Sequence, residues 1–142
     1  MSVNVDDLLE NVQKLNVNRE TLIAIGKTST QMAELNREQL REGKQSDGQN
    51  MPPYSWVSVH KFFKPEGPIR LFDTGAFHNS IQVDVGSDEF QFIAEDRYNL
   101  FERYGENNIL GLTDRQQEYY NEEIFLPVFA EQVENQTGLK FD

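Results

Sequence analysis

A chain of 142 residues, 37% of them hydrophobic, is long enough for one domain with a real core and leaves little over for a second. Its 24 acidic against 13 basic residues give a formal charge of -11, a surface that repels a phosphate backbone and argues against a sequence-reading DNA or RNA binder. The lack of cysteine removes disulfide frameworks and thiolate zinc sites, and makes intracellular synthesis the default reading.

Ten phenylalanines, five tyrosines and one tryptophan predict an aromatic-rich core. The first fifteen residues carry Asp6, Asp7 and Glu10 and have neither the basic nor the apolar region of a signal peptide. No apolar run approaches the roughly 20 residues needed to span a bilayer, so a soluble chain without a membrane partner is expected.

Val5, Leu8, Leu9, Val12 and Leu15 recur at helical spacing and predict a short amphipathic helix, a helical extension over residues 1–17. A longer helix is predicted from Asn18 through Leu22, Ile25, Met32, Leu35 and Leu40 to a stop at Gly43, with a bend or break near Gly26 and Thr28 to Thr30. Residues 43–69 gather Gly, Ser, Asp, Asn and Pro and read as a long extended loop or arm, in which Trp56 to Val59 could form a short strand.

The segment Arg70-Leu-Phe-Asp-Thr-Gly-Ala-Phe-His-Asn-Ser-Ile81 is the most specific local text, and two readings of it compete. As a structural turn, Asp73 or Thr74 caps a short helix with Gly75 in its first turn, Phe77 points to the core, and Ser80-Ile81 lead into a strand. As chemistry, Asp73-Thr74-Gly75 is the triplet of an aspartic protease, in which two carboxylates share a proton and activate water. Such an enzyme would be a homodimer, and Ile109-Leu110-Gly111 could supply its downstream apolar-Gly segment. Only one hairpin and a polar aromatic helix fit between Gly75 and Ile109, fewer strands than that fold requires.

The hairpin follows from alternation: Ile81, Val83 and Val85, then Phe90 and Phe92. A two-residue turn at Gly86-Ser87 would pair Val85 with Asp88, Val83 with Phe90 and Ile81 with Phe92, placing Asp84 opposite Glu89 on an acidic outer face. Arg97 to Tyr104 is a predicted helix with Tyr98, Leu100, Phe101 and Tyr104 available for burial and Gly105 as its stop. Thr113 to Gln116 is a capping box that opens the last helical region, which Pro127 should kink or break and Gly138 should end.

These elements predict a single α+β domain over 1–142, with a long N-terminal helix and C-terminal helices on a small antiparallel sheet. Enzyme chemistry has little support. His60 and His78 lack ligand spacing, neighbouring carboxylates such as Glu122 and Glu123 do not face each other on a helix, and neither a nucleophile elbow nor a phosphate-binding glycine loop is present. No cofactor, metal or catalytic residue is expected.

Taken in order, Leu71, Thr74, Gly75, Phe77, Asn79, Ser80 and Ile81, then Tyr98, Phe101, Tyr104 and Gly105, then Leu110-Gly111-Leu112 before a capped helix, form a pattern. It resembles the tail-completion or virion-morphogenesis proteins of tailed double-stranded DNA phages, over roughly residues 20 to 135. Phe77 stands where that family usually has leucine, Arg103-Tyr104-Gly105 where it often has a His-x-x-Gly, and Asn107-Asn108 where it often has Pro-Arg.

The resemblance implies a non-enzymatic virion subunit of the head-tail connector, made in the host cytoplasm. It would form a six-fold or twelve-fold ring between portal or adaptor and tail, its long loop reaching a neighbouring ring, with double-stranded DNA passing unbound. A tail terminator or other minor tail protein is the nearest alternative. Within the ring reading, Asp84 and Glu89 would line the channel or meet a neighbour's basic residues.

Overall fold

The computed structural model describes residues 17–64, 66–72 and 74–138. The helix expected over Val5 to Leu15, and with it nearly all of the 1–17 extension, lies outside the described residues, as does the proposed cap Asp73. The described chain is α+β, mostly helical around one two-stranded antiparallel sheet.

The long helix is two helices, α1 (Val17–Lys27) and α2 (Ser29–Arg41). The predicted break falls at Thr28, whose hydroxyl donates to the Ala24 carbonyl at 2.9 Å and meets the Tyr120 phenol at 2.7 Å. With the Thr28 proton committed to its own helix, Tyr120 is the donor in that pair. The junction is thereby tied across 92 positions of sequence. α2 ends at Gly43, which has φ +73°. Gly43 and Lys44 donate to the Leu40 and Gln39 carbonyls, each at 2.9 Å, which satisfies the last turn in a Schellman arrangement. A Cβ on Gly43 would also stand 2.5 Å from Pro68, so this position excludes side chains twice over.

Residues 43–69 are not one extended arm. The first part folds back on the body: Met51 is buried and donates to Gly43, while the Ser46 amide donates to the Asn108 carbonyl at 2.8 Å. The second part runs as two limbs joined by Tyr54 to Gly67 and Ile69 to Pro52 hydrogen bonds of 3.1 and 2.8 Å. Its tip is α3 (Trp56–Lys61), not a strand. Ser55 decides this, its hydroxyl capping the Ser58 amide at 3.1 Å, whereas a strand here would find no partner ladder.

Gly75 opens α4 (Ala76–Ser80), which delivers a fully buried Ile81. The hairpin β1 (Gln82–Val85) and β2 (Phe90–Ile93) pairs Val83 with Phe92 and Val85 with Phe90, two residues away from the expected register. Gly86 is the reason, since its N–H donates to the Glu89 carbonyl at 2.7 Å and extends the ladder, leaving Ser87-Asp88 as the loop. A slip of two preserves the faces, so Val83, Val85 and Phe92 still turn inward. Asp84 now faces neutral Gln91 instead of Glu89, and the like-charge pair is relieved.

The next helix starts later than expected. Asp96 accepts from the Leu100 and Phe101 amides at 2.7 and 3.0 Å, placing α5 at Leu100–Tyr104 and leaving Tyr98 exposed before it. Gly105 ends it as anticipated, and a further turn, α6 (Glu106–Ile109), follows.

Thr113 caps α7 (Asp114–Tyr119) by accepting from the Gln116 amide at 3.2 Å. Pro127 does not break the region, because a π-helical segment over Tyr120–Phe125 leads into α8 (Leu126–Thr137), with helical dihedrals at Phe125 and Leu126 where the two join. The wider turn absorbs the missing proline donor. α8 packs on α1, where Gln132 and Gln136 both donate to the buried Glu20 carboxylate, Gln136 at 2.6 Å.

Two apolar clusters result, and the inner hairpin face touches both. One gathers Ala33, Leu40, Phe77, Ile81, Leu100, Ile109 and Leu110, the other Ile25, Met32, Leu35 and Tyr120. Tyr120→Phe should lower the unfolding free energy by about 1 kcal/mol, because Thr28 keeps its backbone acceptor. Thr28→Ala should cost about 2 kcal/mol by stranding the buried phenol. Urea denaturation of both variants measures the difference.

Candidate functional site

The motif residues separate into a packed interior and an exposed remainder. Phe77, Ile81 and Leu110 lie in the first cluster, with Leu71, Phe101 and Tyr104 packed against it, and Leu112 packs on the second. The Phe77 and Phe101 rings meet edge to face, centroids 6.1 Å apart. Ser80 donates to the Phe77 carbonyl at 2.7 Å and accepts from the Glu95 amide at 3.0 Å, tying α4 to the strand exit. Gly75 has φ +86° at the N-cap position, and Thr74 offers only a 3.3 Å bond to the Ala76 amide, a weaker cap than expected of it. Asn79 and Tyr98 are exposed, and Asp84 and Glu89 point to solvent. The described side chains of 71–81 that are buried serve the packing and hydrogen bonding of the fold.

Sequence reasoning missed what holds these segments. Asn36 and Gln39 of α2 are 0% and 1% exposed, and they work as a pair of clamps. Asn36 donates to the Ile109 carbonyl at 3.0 Å and accepts from the Gly111 amide at 3.1 Å. Gln39 donates to the Gly111 carbonyl at 2.8 Å and accepts from the Thr113 amide at 2.9 Å. Arg37, beside them, donates to the His78 and Ile81 carbonyls, each at 2.9 Å. The available signal was polar residues at positions that continue the Met32, Leu35, Leu40 stripe.

His78 is buried between Phe72 and Phe77, and its Nε2 lies 2.8 Å from the Arg70 carbonyl. A carbonyl can only accept, so Nε2 carries the proton, and the buried Nδ1 has no partner. Burial lowers the imidazole pKa below its ordinary 6.5. The Arg70 carbonyl opposes that shift, the Arg41 and Arg37 guanidiniums add to it, and Glu34 opposes it.

The feature left without a structural explanation is the tip. Trp56, Val57, Phe62, Phe63 and Phe72 are all exposed, Trp56 to 73% and Phe63 to 90%. Phe63 also has φ +56°, a left-handed conformation that costs a bulky residue about 1 kcal/mol or more. Phe62, Phe63 and Phe72 share an open groove with Tyr54, Arg41 and Arg70. The Lys61 ammonium lies 5.8 Å from the Phe62 ring centroid. Aromatic and cationic groups thus stand together where the excursion meets the end of α2, in a geometry that suits burial against another macromolecule.

Among the described residues, no group of His, Asp and Glu could hold a metal ion, and no helix is long and apolar enough to cross a membrane. No family model, curated protein or solved structure matches the chain.

Two measurements test this geometry. Asn36→Leu should destabilise by about 3 kcal/mol, because the Ile109 carbonyl and Gly111 amide lose their buried partner together. For His78 the lowered folded-state pKa means that the unfolded chain binds the extra proton, so its contribution is complete above pH 6.5 and is lost as pH falls below it. Urea midpoints at pH 5 and pH 7.5 should show this loss in the wild type and not in His78→Gln. The carboxylate of Glu34, held low by its hydrogen bond to Arg41, titrates only at more acid pH.

Proposed function

We propose that this chain is a structural subunit of the neck of a tailed double-stranded DNA phage, assembling into a ring that joins the head to the tail and lets DNA pass. The observation that carries this reading is the tip: exposed aromatic side chains, one on a strained backbone, on a limb whose two sides are tied to each other and whose base is fixed by Gly43 and Pro68. A monomer that remained free would present that surface to water at a cost, and burial in an assembly removes the cost.

Two further observations support it. The residues of the phage-like pattern do structural work, which suits a subunit whose task is shape. The outward hairpin side carries exposed Asp84, Asp88 and Glu89, carboxylates that suit a contact with a neighbouring subunit's basic residues. Gly75 opening a short helix supports the turn reading of its triplet over a carboxylate pair.

Native mass spectrometry and negative-stain imaging of the purified chain should show a ring or a concentration-dependent oligomer. Trp56→Ser/Phe62→Ser/Phe63→Ser should convert it to folded monomers with an unchanged or slightly raised melting temperature. A dimer whose peptidase activity disappears in Asp73→Asn would replace this reading with the protease one.

A further inference from the structure

Within the ring reading, on which this step rests, we infer that the contact between neighbouring copies is made by the aromatic tip of one subunit on the acidic β-hairpin of the next. Three observations meet in this assignment: the charge of the tip, the charge of the hairpin, and their places on the subunit.

The tip is a cationic island. Residues 53–72 contain Lys61, Lys64 and Arg70 against a single carboxylate, Glu66, in a chain whose formal charge is -11. Lys61 and Arg70 are exposed beside the exposed aromatics. The hairpin is the reverse. Residues 82–93 contain Asp84, Asp88 and Glu89 and no lysine or arginine, and Ile93 adds exposed apolar surface on the face that carries Asp84. Each surface offers what the other lacks, an apolar centre with a charged rim of opposite sign.

On one chain they start from opposite ends of α2. Val85, at the turn end of the hairpin, packs on Ile25, Met32 and Leu35, beside the first half of α2. The excursion leaves from Gly43, beyond the other end of that helix, and its groove includes Arg41. Met32 and Gly43 are roughly 16 Å apart along the axis at helical rise. The turn end of the hairpin and the aromatic groove therefore lie toward opposite ends of α2, a separation that favours pairing between subunits. Pairing of unlike surfaces is heterologous, so it propagates head to tail and closes into a ring when the rotation permits.

Charge reversal tests the pairing in four proteins. Lys61→Glu/Arg70→Glu disables the tip and Asp84→Lys/Glu89→Lys disables the hairpin, and each should raise the concentration at half-assembly at least ten-fold while leaving the melting temperature in place. All four substitutions in one chain should restore self-assembly. Mixing the two double variants should restore assembly with the two chains alternating, because the intact tip meets the intact hairpin and the reversed tip meets the reversed hairpin. In the otherwise cysteine-free chain, Phe63→Cys with Asp84→Cys should give a disulfide ladder under mild oxidation.

A wild-type oligomer indifferent to both reversals, or a quadruple variant that stays dissociated though folded, overturns the tip-on-hairpin contact and leaves the ring reading standing. A wild-type chain that is monomeric at every concentration overturns both.

Discussion

Two buried amide side chains, Asn36 and Gln39, govern how the second half of this chain meets the first. They lie three residues apart on α2, so both face the segment between α6 and α7 and each offers one donor and one acceptor to its backbone. That segment has neither helix nor strand partners of its own, and a buried backbone without partners is costly. The clamps make it a fixed part of the body. Arg37, one position on from Asn36, does the same for the exit of α4, so a single helical turn fixes the placement of the 71–81 stretch and of Leu110-Gly111-Leu112.

This dependence explains what could and could not be read from the sequence. Local signals were legible: the break at Thr28, Gly43 and Gly105 as stops, Thr113 as a cap, and the inward face of the hairpin all rest on chemistry within a few residues. Long-range polar contacts were not. Asn36 and Gln39 bond to residues more than seventy positions away, and nothing in their neighbourhood names the partner. The hairpin register failed for a related reason. Gly86 could either turn or extend the ladder, and only the fit of Val83 and Val85 against Phe92 and Phe90 selects between them. Trp56 to Val59 had the composition of a strand, but the serine before it supplied a cap and no neighbouring strand was available.

The site was less legible than the fold. Asp84 and Glu89 stood out as acidic neighbours, and the structure keeps both outward while separating them. The aromatic residues of the excursion looked like loop composition with scattered core residues. Their exposure appears only when the limbs pair and α3 turns Trp56 outward, because composition does not distinguish an aromatic residue that packs inside its own domain from one left on its surface. Phe63 makes the distinction concrete, since its strained backbone displays a ring that nothing in its own chain covers.

The π-helical segment before Pro127 gives the C-terminal helix a fixed count. A π turn is an α-helix with one residue too many, and that extra residue sets the rotational phase of everything after it. At 3.6 residues per turn, losing one residue would rotate α8 by about 100°. Gln132 and Gln136 would swing away from the buried Glu20, and the proline ring would be driven into the preceding turn. Residues 120–125 thus act as a spacer whose number sets the phase of the helix that follows, while Tyr120 within it is held in place by burial and its bond to Thr28.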